Sequence, residues 1–443
     1  MMKFIFYLIF MIPFCFFNNW LMFIYMLFFF FFFFFFFCKV NLGFFFFISY
    51  IFGVDKVSYI FICLSVWICI MMVYSMFNYS SLFGSIYFLF CMIFLILMLF
   101  MVFCVMDFFF FYFFFEGSLI PVFLIIFGWG YQPERLSAGY YLIFYTLFAS
   151  LPFLICIFYV NSVFGGFMFF FVFNFNFDYL MFFIIFSFLI SFPMFGVHLW
   201  LPSAHVEAPS SGSMILAGVL LKLGGYGFFR SLNFLYYFFF YYGFFFISLS
   251  LFGCVLISLF CLIQSDLSIL IAYSSVCHMS MVICGLFTMT SWGVMGSLIF
   301  MIGHGFVSSG LFFLVSLIYD RIGTRSLFII KGLINFMPSL SLYWFFFCSL
   351  NMSCPPSINL FSEISIVFGL FSWNYFTFIF IFFILFFSAC YSLSIFFLTQ
   401  HGVFCGVSKF IGVCVVRDYF VIFFHLFPVI FLMFNMYYFF NIF

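Results

Sequence analysis

Three charged side chains lie within or beside long apolar stretches of the sequence: Glu116, Lys222 and Glu363. A charge at the centre of a membrane span costs about 2.5–3.5 kcal/mol on insertion scales, so it is normally paired, hydrated or functional. Carboxylates and an amine on separate helices can exchange protons, because moving the carboxylate changes whether the amine holds its proton. The three residues are therefore predicted to form a chain of proton-exchangeable groups. The alternative is that each lies at a span boundary and extends its charge towards the lipid headgroups.

Histidines are the other candidate proton carriers, because His changes charge near neutral pH. The sequence has six: His198, His205, His278, His304, His401 and His425. His278 and His304 lie in the middle of apolar runs with polar neighbours, and a relay role and a structural role are equally supported for both. The other four are interpreted as structural or water-organising residues.

The composition indicates what kind of secondary-structure element positions these side chains. The chain has 443 residues, 70% of them hydrophobic and 101 of them Phe, with only 11 basic and 10 acidic side chains. So few polar groups cannot form a water-exposed surface, which excludes a soluble enzyme, a nucleic-acid-binding protein and a disordered linker. Apolar runs of span length recur along the chain. The sequence predicts an all-α polytopic membrane protein with about 14 transmembrane helices.

The cysteines and the phenylalanines carry two further predictions. Most of the 16 cysteines lie in apolar runs, and none has the Cys/His spacing of a zinc or iron–sulfur site, so no metal and no redox centre is expected in this chain. Runs such as Phe28–Phe37 specify no packing register. Codons for Phe, Ile, Tyr and Asn are rich in A and T, so the composition predicts an AT-rich organelle genome.

Prolines mark two interruptions of the apolar pattern. Pro202 and Pro209 lie between two apolar runs, and Pro355–Pro356 directly precede another. Each place predicts a broken or kinked helix, which a membrane tolerates where the helix lines a protein-covered cavity.

One stretch is long and specific enough to indicate a family. The chain from Gly196 to Gly227 reads GVHLWLPSAHVEAPSSGSMILAGVLLKLGGYG. It closely resembles the chain 4 family of antiporter-like subunits in mitochondrial NADH–ubiquinone oxidoreductase, respiratory complex I. Further blocks agree in order: Glu116 with LIP at 119–121, WGYQPERL at 129–136, LIAYSSVCHM at 270–279, His304-Gly305, and PPSINL at 355–360 before Glu363. The resemblance runs from Phe113 to Gln400.

The resemblance implies a subunit that moves protons across the inner mitochondrial membrane while other subunits oxidise NADH and reduce ubiquinone. Glu116 and Lys222 match the membrane-embedded Glu and Lys of the family, and Glu363 matches its terminal acid. The implied fold has two inverted five-helix bundles, each with a broken helix. The predicted division is N-terminal anchor helices in 1–105, an antiporter-like translocation core in 106–400 and a C-terminal transmembrane helix in 401–443.

The same resemblance implies where cofactors and partners lie. NADH, FMN, the iron–sulfur clusters and ubiquinone are expected in other subunits, and none in this chain. The expected partners are other membrane-arm and accessory subunits of complex I together with membrane lipids, and no nucleic acid.

Two positions depart from the family pattern. Ser268 stands where the family usually has a Lys just before LIAY, so a central relay lysine is absent, and His278 or bound water is the candidate replacement. Gly323 stands where the family often has a His. The preferred interpretation of both departures is that protons pass through different relay groups in this chain.

Other polar residues are interpreted as structural. Glu134 and Arg135 are expected to form an interhelical clamp. His205 and Glu207 are expected to organise the broken helix, with a direct proton role for Glu207 as the alternative. The segment with Asp320, Arg321 and Arg325 is interpreted as a solvated loop cluster or a contact with a neighbouring subunit.

Two other functions fit the same residues. A cation/proton antiporter subunit would share the Glu–Lys core, although the QPER and PSINL blocks favour complex I. A conduction-impaired structural subunit of the membrane arm is suggested by Ser268.

Overall fold

The computed structural model describes residues 1–38, 46–81, 84–169, 178–232, 234–403 and 414–436. The apolar runs in these ranges form helices, because a segment in lipid must satisfy its own backbone N–H and C=O groups. The helices are α1 (Met2–Phe10), α2 (Trp20–Phe37), α3 (Lys56–Ser75), α4 (Ser85–Cys104), α5 (Phe108–Trp129), α6 (Arg135–Phe164), α7 (Asp178–Ser191), α8 (Trp200–Glu207), α9 (Ser210–Ile215), α10 (Leu221–Ser231), α11 (Tyr236–Ile263), α12 (Leu267–Phe287), α13 (Ser291–Ile322), α14 (Leu333–Phe336), α15 (Pro338–Asn351), α16 (Ile358–Trp373), α17 (Thr377–Gln400) and α18 (Val416–Phe434).

Within the described ranges, 11 helices are long and apolar enough to cross a membrane. They are α2 to α6, the stretch Ser210–Ser231, α11 to α13, α17 and α18. Shorter apolar helices cover Met2–Phe17, Tyr179–Ser191 and Ile358–Trp373. The predicted all-α polytopic membrane architecture is confirmed, and the count of about 14 spans stays a prediction. A short antiparallel hairpin, β1 (Phe46–Ser49) and β2 (Phe52–Val54), was not predicted from the sequence.

The chain divides into two compact units. Unit 1 comprises Met1–Ser191 and Glu207–Tyr236, and unit 2 comprises Phe192–Val206 and Tyr237–Asn441. The chain passes from unit 1 to unit 2 after α7, between Ser191 and Phe192, and returns to unit 1 at the end of α8, between Val206 and Glu207.

Both interruptions predicted from the prolines are present. The helix that begins at Trp200 ends at Glu207, and α9 begins immediately after Pro209. Similarly, α15 ends at Asn351 and α16 begins at Ile358, with Pro355–Pro356 between them.

In unit 1, the phenylalanine run of α2 has a packing register after all. Phe23, Leu27, Phe30 and Phe34 are buried, and their spacing of three or four residues defines one helix face. Phe30 and Phe34 contact the ring of Phe100 on α4 at centroid distances of 5.8 and 5.7 Å. The prediction that the run specifies no register is wrong, because neighbouring helices select the buried face even when the side chains are alike.

Unit 1 also contains a short ion pair at one end of a span. Arg230 near the end of α10 donates from Nη1 and Nη2 to the two carboxylate oxygens of Asp55 at 2.6 and 2.7 Å. Asp55 also precedes α3 and accepts from the backbone N–H of Ser58 at 2.8 Å. Burial alone raises the pKa of the Asp55 carboxyl, but the Arg230 guanidinium and Ser58 hold that pKa below its ordinary value. One carboxylate therefore caps α3 and holds α10.

Unit 2 is built around the close approach of α13 and α16. Gly296 and Gly303 are two helical turns apart on α13, so they share one face. A Cβ at Gly296 would overlap the Ser365 side chain, and a Cβ at Gly303 would overlap the Asn359 side chain. The two glycines thus let α16 lie against α13, next to His304 and one turn from Glu363.

Two arginines at and just after the end of α13 bind acceptors within unit 2. Arg321 is buried, and its Nη2 donates to the Asp418 carboxylate of α18 at 2.6 Å. Arg325 stacks on Tyr319 and donates to the carbonyl of Val206 in the last turn of α8. The interpretation as a solvated loop cluster is wrong for Arg321, which is buried in its pair with Asp418, whereas Asp320 is exposed and Arg325 is half-buried. The alternative, a contact with a neighbouring subunit, stays a prediction.

Replacing Asp55 by Asn is expected to lower the temperature of thermal unfolding of the purified assembly at pH 7. Leaving a buried guanidinium without its carboxylate costs about 2–5 kcal/mol. Because the folded-state pKa of Asp55 lies below its unfolded-state value, the contribution of the pair is complete above about pH 4 and is lost as pH falls through the folded-state pKa. The difference between D55N and the native chain should therefore shrink in acid.

Asp266→Asn is the matched control. Asp266 also precedes a helix, α12, but its side chain makes no capping hydrogen bond there. D266N should change the unfolding temperature little, and an equal loss in both variants would contradict the role given to the Asp55–Arg230 pair.

Candidate functional site

The buried amine of unit 1 lies directly after an irregular helical turn. Residues 216–220 form a π-helical turn between α9 and α10, and Lys222 is fully buried one residue into α10. Its Nζ donates to the carbonyl of Ala217 within that turn. Short π-helical insertions occur frequently at functional sites. The π-helical turn thus supplies a carbonyl acceptor to an amine that is buried away from water.

The predicted partner of this amine, Glu116, lies on α5. Glu116 as a whole is half-buried. Its carboxylate oxygen Oε1 is buried and has no hydrogen-bond partner among the described residues. The hydroxyl of Ser150 on α6 lies beside the carboxyl. Within the described chain, no nitrogen of Lys222 comes within 4.0 Å of a carboxylate oxygen, Glu116 included. The structure therefore keeps the two predicted groups in unit 1 without forming an ion pair between them.

A second group of candidates comes together in unit 2. His278 on α12 has its Nδ1 at 3.9 Å from Oε1 of Glu363 on α16. Its other ring nitrogen, Nε2, is hydrogen-bonded to the hydroxyl of Tyr391 on α17 at 3.2 Å. The ring of His304 on α13 lies 5.2 Å from that of His278, centroid to centroid. Four helices thus bring one carboxylate, two imidazoles and one phenol together in the interior of the unit.

A small cavity adjoins this cluster. It has a volume of about 10 Å³, roughly the smallest that accommodates one water molecule. Its polar lining consists of His278, Glu363, Tyr391, Ser258 and Ser388. A water molecule there would meet the two to four polar partners that buried water normally has.

Tyr391 is the residue of this cluster that sequence reasoning missed. A signal was available, because Ser388, Tyr391 and Ser392 are polar residues spaced three or four apart in an otherwise apolar helix. That spacing indicates a polar helix face directed at the interior.

The residues interpreted as structural occupy local roles that fit that interpretation. His198 Nδ1 accepts from the backbone N–H of Gly196 at 3.3 Å. The His205 ring stacks on Phe312 at 4.2 Å and 3°, and the backbone carbonyl of Glu207 accepts from Tyr131 N at 3.4 Å. His425 on α18 is fully buried, with its Nδ1 2.7 Å from the carbonyl oxygen of Val421.

The predicted clamp falls between α5 and α6. Arg135 in the first turn of α6 donates from Nη1 to the carbonyl of Gly130, the residue that follows α5, at 3.0 Å. Glu134 is exposed immediately before α6, and its backbone carbonyl accepts from Ala138 N at 3.1 Å. The arginine side chain thus links the start of α6 to the end of α5, whereas the Glu134 carbonyl makes a bond within the first turn of α6.

Ser268 lies in the first turn of α12, at one end of the span and not at its centre. Its Oγ is buried without a hydrogen-bond partner among the described residues. His278 is ten residues further along the same helix, about 15 Å away along the axis. A replacement of the absent relay lysine by His278 would therefore need intervening groups, and that replacement stays a prediction.

Gly323 has a structural explanation. It follows α13 with φ at +79°, in the left-handed region, and its N–H donates to the carbonyl of Tyr319 at 2.8 Å. Glycine adopts this conformation without the steric penalty of a Cβ.

Gly323→His, which introduces the residue that the family often has here, should therefore destabilise the chain. The left-handed conformation costs a residue with a Cβ about 1–2 kcal/mol, and no side chain is close enough to add a clash. Gly323→Asn is the control, because Asn tolerates this conformation. Thermal unfolding of the purified assembly should rank the native chain and G323N above G323H, and equal stability of all three would contradict the explanation.

The class of the protein follows from the fold and from family matches. Residues 105–389 match the family model of the NADH:quinone oxidoreductase/Mrp antiporter transmembrane region. The fold is similar to a chain in respiratory complex I from Thermus thermophilus, with a TM-score of 0.78 and 23% identity over 85% of this chain and 80% of that one. It is also similar to a chain of the Mrp complex from Dietzia, with a TM-score of 0.75 and 16% identity over 85% and 42% of the two chains. This is an antiporter-like membrane subunit.

The particular family is shown by closer relatives. Residues 1–102 match the amino-terminal model of NADH-ubiquinone oxidoreductase chain 4. The chain is 48% identical to NADH-ubiquinone oxidoreductase chain 4 of Ceratitis capitata, 46% to that of Locusta migratoria and 49% to that of Aedes aegypti, in each case over 97% of both chains. The chain belongs to the NADH-ubiquinone oxidoreductase chain 4 family, and the resemblance stated from its sequence is confirmed.

Proposed function

We propose that this chain translocates protons across the inner mitochondrial membrane as a membrane-arm subunit of complex I, while other subunits oxidise NADH and reduce ubiquinone. The observation that carries the proposal is the cluster of His278, His304, Glu363 and Tyr391 beside a cavity large enough for one water molecule. Such a cluster has no value for packing alone, because buried polar groups are costly in lipid unless they serve a path or a partner.

The cluster can move a proton by short steps. An imidazole accepts a proton on one nitrogen and releases one from the other. At 3.9 Å, the distance from His278 Nδ1 to Glu363 Oε1 is too long for a direct hydrogen bond and suits either a small rotation of the carboxylate or a bridging water molecule. The nearby ring of His304 is the neighbouring station on α13.

Lys222 is the proton-holding group proposed for unit 1. A buried ammonium is costly, so its protonation state responds to any charge that moves nearby. Glu116 supplies a carboxylate on another helix of the same unit, and Ser150 supplies a hydroxyl beside it. Because no short ion pair in the described part of the chain joins the amine to a carboxylate, Lys222 and Glu116 can change their charge without breaking one.

The wider setting follows from the proposed function. Residues 106–400 form the translocation core, 1–105 the anchor helices and 401–443 the C-terminal helix. The AT-rich composition supports synthesis inside the organelle. Exposed apolar side chains on α6 and α17, such as Phe148 and Phe382, support contact with lipids or neighbouring subunits. NADH, FMN, iron–sulfur clusters and ubiquinone are placed in other subunits, and no nucleic-acid partner is proposed.

Lys222→Met tests the proposal in the intact complex reconstituted in liposomes. Methionine has a similar length and no charge, so the assembly should be at least as stable as the native one. Proton uptake coupled to NADH oxidation should fall about tenfold or more, since a proton carrier has been removed. Lys331→Met is the matched control, because Lys331 lies outside the helices of the described chain and outside the proposed path. Undiminished coupled proton transport in K222M would contradict the proposal and favour a structural subunit.

A further inference from the structure

Tyr391 is fully buried in α17, and its hydroxyl reaches another helix. The serines on the same helix face differ from it in this respect. Ser388 donates to the carbonyl of Leu385, and Ser392 donates to the carbonyl of Ser388 at 2.8 Å. These hydroxyls are bonded within their own helix. The phenol is therefore the group through which α17 holds His278.

The groups around the His278 ring come from several helices. Glu363 faces it from α16 and His304 from α13. The Phe300 ring lies nearly perpendicular to it, with the two ring centroids 5.3 Å apart. On α11, the thiol of Cys254 donates to the carbonyl of Cys277, next to His278. Tyr391 is hydrogen-bonded to Nε2 of this ring at 3.2 Å. This bond contributes to the orientation of the ring.

A phenol suits this position because it both donates and accepts hydrogen bonds. When His278 is neutral with its proton on Nδ1, the phenol can donate to Nε2. When the ring is charged, Nε2–H can donate to the phenol oxygen. One side chain therefore keeps Nε2 bonded in both charge states, and Nδ1 stays directed at Glu363.

We propose that Tyr391 is a positioning residue for proton transfer between His278 and Glu363. Because it stays hydrogen-bonded to Nε2, the imidazole does not rotate its Nδ1 away from the carboxylate. In the transfer step, the Nδ1–H bond of the charged ring breaks and the proton forms an O–H bond with Glu363, directly or through one water molecule. The neutral ring keeps its remaining proton on Nε2, and this N–H donates a hydrogen bond to the phenol oxygen. This inference rests on the proposed function, since it assigns a role within the same relay.

Tyr391→Phe removes the hydroxyl and keeps the ring. In the intact complex reconstituted in liposomes, coupled proton transport should fall about 2- to 10-fold, the effect of one lost hydrogen bond. Its pH dependence should move about 0.5–1 unit towards acid, because in Y391F the charged ring always has an unpartnered N–H at Nε2. The neutral ring avoids that cost by carrying its proton on Nδ1, which leaves only a lone pair unpartnered at Nε2.

Tyr59→Phe is the matched control. Tyr59 is buried in unit 1, and its hydroxyl also makes a 3.2 Å hydrogen bond, to the carbonyl of Phe35. Y59F should leave the pH dependence of transport unchanged. A merely structural role for Tyr391 would lower the amount of assembled complex without moving the pH profile, and an unmoved profile in Y391F would overturn the inference.

Two further measurements separate the possible failures. If Glu363→Gln leaves coupled transport intact, the proposed function fails; if E363Q abolishes transport while Y391F behaves as the native chain, only the positioning role fails. A structure of the native complex at low and at high pH provides a test that needs no variant. Tyr391 should stay bonded to Nε2 at both pH values, and a turned imidazole would overturn the inference.

Discussion

The cost of removing charge from water governs this structure. Seven charged side chains within or beside the described helices illustrate this and fall into two groups. Asp55 with Arg230 and Arg321 with Asp418 form pairs with N–O distances of 2.6 Å. Lys222 and Glu116 make no such pair in the described chain, and Glu363 has His278 only at 3.9 Å. Short pairs hold helices together, whereas loosely held groups keep the freedom to gain or lose a proton.

The helical irregularities serve the second group. A π-helical turn places the Ala217 carbonyl where the Lys222 ammonium can reach it. In unit 2, glycines at 296 and 303 let α16 approach α13 closely enough for His304 and Glu363 to join one cluster with His278. At the break after α8, the backbone carbonyl of Val206 accepts a hydrogen bond from Arg325. Each departure from a regular helix thus brings polar groups into an interior that lipid would otherwise exclude.

Much of this could be predicted from the sequence, because the strongest signals are local. A charge or a histidine inside an apolar run is visible without coordinates, and Glu116, Lys222, Glu363, His278 and His304 were all identified in this way. Proline pairs predicted both interruptions. The family resemblance added the division of roles among the charged residues, which composition alone does not give.

What could not be predicted depends on contacts between distant segments. The absence of a direct Glu116–Lys222 ion pair depends on how α5 and α10 are placed within unit 1, and no spacing rule reveals that placement in helices this rich in apolar residues. The pairing of Arg321 with Asp418 joins residues 97 positions apart. The reason for Gly323 is a backbone dihedral angle, and the hydrogen bond between Tyr391 and His278 joins residues 113 positions apart.

The most direct test of the account is a structure of the intact complex at a resolution that shows ordered water. The account predicts that Glu363 is joined to His278 by a water molecule in the cavity of unit 2, or directly after a small rotation of the carboxylate. A cavity without water together with a Glu363 carboxylate turned away from the imidazole in every state of the complex would contradict it.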